Sequence, residues 1–178
     1  RLVNLDPDLI IMYDGWNDLR AKYDTEKVYH NWKSTCQFGN ENGFDVGIIL
    51  QPIAGFANKS LTQQEYVNAL TGVNHNNEQL LLQKNQYDKF SSKLEELSTT
   101  CKITKDLRDV FDDVNGSIFW DQGHTADAGN MIIAEKIYEV SSPIIQKNLA
   151  KETVFNVILK KYNNPTVISY LLQQYGIN

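Results

Sequence analysis

The stretch Leu9-Ile10-Ile11-Met12-Tyr13-Asp14-Gly15-Trp16-Asn17-Asp18 decides the fold. Five consecutive apolar residues, with Asp6-Pro7-Asp8 before them and Asp14-Gly15 after, form the pattern of a strand covered on both faces. Such a strand, when it ends in glycine and small polar groups, delivers them to its carboxyl end, where open α/β sheets build their sites. A second unbroken apolar run, Val46-Gly47-Ile48-Ile49-Leu50, is stopped by Pro52. Cys101-Lys102-Ile103 stands where a last short strand belongs, with Lys105 to Phe111 as the turn beyond it. Helical patterns separate the runs, and that alternation predicts an α/β fold with a parallel sheet.

Between the first two runs, Leu19 to Trp32 predicts a helix or two helical turns, with Asp18 as a cap, and Trp32 to Gly43 reads as less regular. Leu61-Thr62-Gln63-Gln64-Glu65 contains a helix cap, and Leu80, Leu81, Tyr87, Phe90, Leu94 and Leu97 continue an apolar stripe at helical spacing. Thr71-Gly72-Val73-Asn74 interrupts this region, which gives two helices or one helix with a break. Farther on, Ile133 with Ile137 and Ala134 with Tyr138 are pairs at four-residue spacing. Gly129, in the first turns of that helix, marks a close approach to a neighbour. Pro143 is expected to open a separate helical stretch to about Tyr162, and Asn163-Asn164-Pro165 to break it before a last short helix from Thr166 to Tyr175. The chain thus divides into an α/β domain over 1–142 and a helical extension over 143–178, packed on or beside it.

Phe119-Trp120-Asp121-Gln122-Gly123-His124-Thr125 is the second informative stretch. An aspartate three residues before a histidine, on a short connection entering a helix, can hold one imidazole nitrogen and leave the other free to move a proton. Gly123 is read as tolerating the backbone angles of a tight curl, and Thr125 as the N-cap of the following helix. Alone, the spacing is a weak signal and more often marks a surface loop or a locally bonded histidine.

The 178 residues, 42% of them apolar, suffice for one sizeable core. The net charge of −5 is mixed along the chain, so no basic stripe points to nucleic acid, and no apolar run reaches the length of a membrane span. Cys36 and Cys101 fit neither a redox pair nor a four-ligand metal site, and they are left open between one disulfide and two thiols. His30 and His75 lack companions at metal-ligand spacing, so neither a metal nor another cofactor is expected. The location is left open between cell interior and exterior, leaning towards a secreted or cell-surface protein.

Gly15-Trp16-Asn17-Asp18 after an apolar strand, followed by Asp121-Gln122-Gly123-His124 before a helix, resembles the later blocks of the SGNH (GDSL-like) hydrolases over roughly Leu2 to Val140. That resemblance implies a three-layer α/β/α, flavodoxin-like fold with a partial parallel sheet, and serine-dependent cleavage of esters. By the resemblance His124 is the base, Asp121 its orienter, and Asn17 the oxyanion donor, with Gly15 letting the loop bend beneath it. Leu50-Gln51-Pro52 is similar to the strand end that shapes the substrate groove in these enzymes. Trp16 and Trp120 flank the expected site and offer rings for a sugar or acyl chain, or else close the end of a core. The substrate implied is an acyl or acetyl ester of a carbohydrate or small molecule.

The glycine-aspartate-serine motif that supplies the family's nucleophile has no counterpart in this sequence, and neither has its second oxyanion glycine. The chain is therefore read as the later part of such a protein, completed by an N-terminal segment or a separate chain and inactive alone. Ser34, Ser60, Ser91, Ser92, Ser98 and Ser117 lie in expected loops or helix surfaces, none on a strand-to-helix elbow. The second reading is a non-enzymatic α/β binding or assembly module that retains these motifs for structural reasons.

Overall fold

The computed structural model describes residues 5–161 and 164–177. Three parallel strands, β1 (Leu9–Asp14), β2 (Asp45–Leu50) and β3 (Ile103–Asp106), form a sheet in the order β1-β2-β3. Asp14 pairs with Leu50 and Leu50 with Asp106, so the three carboxyl ends lie in register along one edge. The helices are α1 (Trp16–Arg20), α2 (Thr25–Asn42), α3 (Gln63–Thr71), α4 (Lys84–Glu96), α5 (Asp127–Lys161) and α6 (Pro165–Gln174), with 3-10 turns at Leu80–Gln83 and Leu97–Thr99. The fold is α/β with a helical C-terminal part. Leu2 to Leu5, whose sequence reads as the end of a helix or an extended lead-in, falls, except for Leu5, outside the described residues, as do Tyr162 and Asn163.

Alternation of buried faces explains the packing. Val28, Trp32, Cys36 and Gly39 line one side of α2, and Tyr87, Phe90 and Leu94 one side of α4. Both meet Val46, Ile48 and Leu50 of β2 in a continuous core. Every residue from Val46 to Leu50 is buried, so β2 is the strand covered on both faces. β1 is not: all six of its residues are only half-buried, and among the described residues it pairs with β2 alone. Its apolar run records an edge whose other side carries no described strand.

Several local expectations are corrected. The region after Trp32 is not irregular, since α2 runs on to Asn42. Its buried stripe passes through Gly39, where an added Cβ would lie 2.5 Å from Val46 Cγ2, and a glycine in the stripe masks the apolar spacing. Asp18 lies inside α1, and the cap of α2 is Asp24, whose carboxylate accepts from the Lys27 amide at 2.8 Å. The last strand begins at Ile103 rather than Cys101. Pro143 does not open a new helix but sits within α5. A proline ring inside a helix costs about 3 kcal/mol, which good helix formers on both sides, such as Ala134-Glu135-Lys136 and Leu149-Ala150-Lys151, offset over many turns. The last helix starts at Pro165, capped by Asn164 Oδ1, which accepts from the Thr166 amide at 2.9 Å.

Cys36 and Cys101 form a disulfide that ties α2 to the chain entering β3. The backbone divides into two compact units, Arg1–Tyr138 and Glu139–Asn178, the boundary falling inside α5. The site described below lies wholly in the first. Among the described residues no helix is long and apolar enough to cross a membrane.

Candidate active site

β1 ends at Asp14, and Gly15 turns the chain into α1 with φ +111°, a conformation that a side chain would strain. Space also demands glycine there, because a Cβ would lie 2.5 Å from Leu50 Cδ1 and 2.9 Å from the Tyr87 hydroxyl. The Trp16 amide then donates to Gln51 Oε1 at 3.3 Å, and the Tyr87 hydroxyl donates to the Gln51 carbonyl at 2.8 Å. Gln51, just past the end of β2, thereby fixes the first turn of α1, which carries Trp16 and Asn17.

The second loop is held from another side. Glu65 in α3 accepts the amides of Ile118 at 2.7 Å and Phe119 at 3.0 Å with one carboxylate oxygen. Its other oxygen accepts the Thr62 amide at 2.8 Å, completing a capping box. Lys59 lies 3.4 Å from the same carboxylate and donates to the carbonyls of Ser60, Val114 and Gly116. Beyond this anchor Trp120 and Phe119 fold back towards His124 and Thr125 through the backbone.

Within that loop Asp121 Oδ2 meets His124 Nδ1 at 2.7 Å, while Oδ1 accepts the amides of Gly123 and His124, each at 2.8 Å. Burial pushes the Asp121 carboxyl up, but the bonds from the His124 ring and from both amides outweigh it and hold the group below the usual carboxylate range. The carboxylate thus fixes the imidazole by Nδ1 and leaves Nε2 free of protein partners among the described residues. His124 is largely exposed, its ring edge-on to Trp16 with centroids 4.7 Å apart.

Two expectations about this loop change. Gly123 is needed for space rather than for backbone angle: an added Cβ would lie 2.3 Å from Trp16 Cε2. Thr125 does not cap the helix. Its hydroxyl donates to Asn130 Oδ1 at 2.7 Å, and α5 begins at Asp127. Gly129 does mark a close approach, 2.7 Å between an added Cβ and Ile118 Cγ2.

An open cleft of about 330 Å³ is lined by Trp16, Asp121 and His124 together with Arg20, Asn68 and Thr71. The structure therefore brings together the two loops that the sequence singles out, at the carboxyl end of β1. Asn17 follows Trp16 directly but is exposed, lies outside the cleft wall, and its side chain bonds to none of the described residues. Trp120 stands apart: the residue is 75% exposed and does not line the cleft. Arg20, Asn68 and Thr71 carry no family motif and were not read as site residues, and Glu65 was read only as part of a helix cap. The one available signal was Arg20 falling four residues after Trp16, hence on the same helical face.

No protein-family model matches the chain, and no curated protein sequence does. Among solved structures, the chain is similar to an acetyl xylan esterase, AlAXEase, with a TM-score of 0.56 and 17% identity over 78% of this chain and 69% of that one. That likeness shows a shared fold.

Proposed function

We propose that the chain carries the base, the orienting carboxylate and the oxyanion donor of a serine-dependent ester hydrolase of the SGNH kind, with that family's flavodoxin-like layering. The observation that carries the reading is the His124 Nδ1 to Asp121 Oδ2 bond of 2.7 Å in a cleft walled by the loop that leads to Asn17. In the proposed reaction His124 Nε2 takes the proton of a serine hydroxyl as its oxygen bonds to the ester carbonyl carbon. Asn17 Nδ2 donates to the resulting oxyanion. The carbon–oxygen bond to the alcohol then breaks, and the imidazolium returns the proton to the leaving alcohol. Water then gives a proton to the same nitrogen as it adds to the acyl carbon, the bond to the serine oxygen breaks, and the proton passes to that oxygen as the acid leaves. Asp121 stays ionised throughout and stabilises the imidazolium.

Among the described residues, no serine lines the cleft, and the Thr71 hydroxyl is committed to the Val67 carbonyl at 2.8 Å. The nucleophile is therefore assigned to a segment preceding Arg1 or to a separate chain, which adds a strand beside the half-exposed apolar edge of β1. The substrate is an acyl or acetyl ester of a carbohydrate or small molecule; the named activity of the similar structure supports a sugar. The disulfide supports an oxidising location, outside the cell or at its surface.

Protein expressed from the complete gene should hydrolyse p-nitrophenyl acetate, and His124→Ala should lower kcat by about 10³-fold or more with the fold retained. Equal rates in the variant would exclude the role given to His124. The absence of a cleft serine is also what favours the second reading, a binding module; an upstream sequence without a serine on the loop after its first strand would decide for it.

A further inference from the structure

We propose that Arg20 is a specificity residue that binds a carboxylate on the substrate, so that the ester cleaved here belongs to an acidic, uronate-type sugar rather than a neutral one. The proposal rests on the hydrolase reading for the word substrate; the binding site itself is argued from the cleft.

Arg20 ends α1, one turn after Trp16, and its guanidinium carbon lies 4.9 Å from the centre of the Trp16 ring. Stacking on an indole orients the planar fork and lowers the cost of holding it still. Beyond the Trp16 ring, the fork bonds to none of the described residues. Among the described residues Arg20 makes no ion pair, whereas Arg108 is gripped by Asp106 and Asp88 and the cleft's own carboxylate, Asp121, is occupied by His124 and two amides. The neighbouring polar groups are committed as well: Asn68 Nδ2 donates to the Trp120 carbonyl at 2.9 Å, and its Oδ1 accepts from Gln64 at 3.1 Å. Among the described residues, a solvent-facing cleft thus contains a pre-oriented cation without an acidic partner, next to a histidine with one nitrogen free.

The spacing suits a single sugar unit. His124 and Arg20 both touch the Trp16 ring, at 4.7 Å and 4.9 Å between centres, so they are no farther apart than those two distances laid end to end. A ring carrying an ester on one carbon and a carboxylate on another reaches both groups anywhere within that limit. A guanidinium with parallel N–H donors fits a carboxylate through two bonds, each charge-assisted, and offers a neutral hydroxymethyl group much less.

The test is direct binding to the full chain, which needs no turnover. D-glucuronate and its uncharged methyl ester are titrated while the Arg20 Nε–H and Trp16 indole resonances are followed by NMR. Glucuronate should shift both signals and bind about tenfold more tightly than the methyl ester. Arg20→Gln should remove that difference, and Arg20→Lys, which keeps the charge, should retain most of it. Equal binding of acid and ester, or an unchanged preference in Arg20→Gln, would overturn the proposal, as would inorganic phosphate binding more tightly than glucuronate. Arg20-dependent binding in a protein inert to all esters would sink the hydrolase reading and leave the subsite standing. Ester cleavage without any preference for the acid would do the reverse.

Discussion

Glu65 and Lys59 face each other at 3.4 Å with side chains 0% and 4% exposed, and together they hold the segment that leads into Asp121 and His124. The carboxylate also takes the amides of Thr62, Ile118 and Phe119, so it is more than half of an ion pair. Glu65→Ala should destabilise the protein by about 3–5 kcal/mol, the usual cost of stranding a buried charge, as measured by urea unfolding. Glu65→Leu combined with Lys59→Met should recover little of it, because the three amides stay without an acceptor. Burial raises the Glu65 carboxyl, but the Ile118, Phe119 and Thr62 amides outweigh it and leave it lowered. Its stabilisation is therefore present above the unfolded value of 4.5 and lost as pH falls below it. An acid titration of Glu65→Gln should lack that loss.

Gly123→Ala places a methyl group 2.3 Å from Trp16 Cε2, on the ring that also meets His124. Overpacking of this kind costs about 1–3 kcal/mol, and relief by moving Trp16 would carry His124 with it. The expected result is a lower Tm together with a changed ring-current shift on the His124 protons. A variant with wild-type Tm and an unmoved His124 spectrum would show that the loop has slack the structure does not display.

The contrast between these two anchors shows what the sequence could carry. Strands and site loops were legible because their signals are local: an apolar run, a glycine at its end, an aspartate three before a histidine. Thr62 and Glu65 were legible as a cap for the same reason, yet the second use of Glu65, on amides 53 and 54 residues away, has no local trace. Gly123 was recognised as necessary but for the wrong cause, since crowding by Trp16 depends on a residue far off in the chain. β1 was expected to be covered on both faces, because composition records how apolar a strand is and not what lies beside it. Arg20 was missed because an unpaired cation is defined by the partners it lacks, which only a structure shows.

The Cys36–Cys101 bond closes a loop with a sequence separation of 65, and both residues are nearly fully buried, at 1% and 6% exposure. Restricting the unfolded chain over such a loop contributes about 4 kcal/mol in the chain-entropy model. Dithiothreitol should therefore leave the native protein oxidised while reducing it readily in urea, and Cys36→Ser with Cys101→Ser should move the urea midpoint down sharply. Rapid reduction under native conditions, followed by mass spectrometry of alkylated thiols, would contradict the burial.

Asp18 gives the opposite pH response to Glu65. Burial, then the charge of Asp14 and a hydrogen bond shared with it, raise the Asp18 carboxyl to about 7, with Lys27 opposing. Asp14 is itself held by the Trp32 indole, which donates to its Oδ2 at 3.0 Å, so the pair cannot simply swing apart. A carboxyl raised in the folded state stabilises fully below its unfolded value of 3.8, and that contribution is lost as pH rises through 7. Since the group is partly exposed, the loss between pH 4 and pH 8 should be about 1–2 kcal/mol rather than the full value of the shift. Asp18→Asn keeps a donor to Asp14 without the charge, so it should match the parent at pH 4 and exceed its stability at pH 8. Because Asp14 and Asp18 bracket Gly15, Trp16 and Asn17, their repulsion at high pH should also loosen the turn from β1 into α1, read as a rise in Trp16 solvent accessibility between pH 6 and 8 that Asp18→Asn abolishes. Parallel stability curves for the two proteins across that range would show that the two carboxyls do not share a proton.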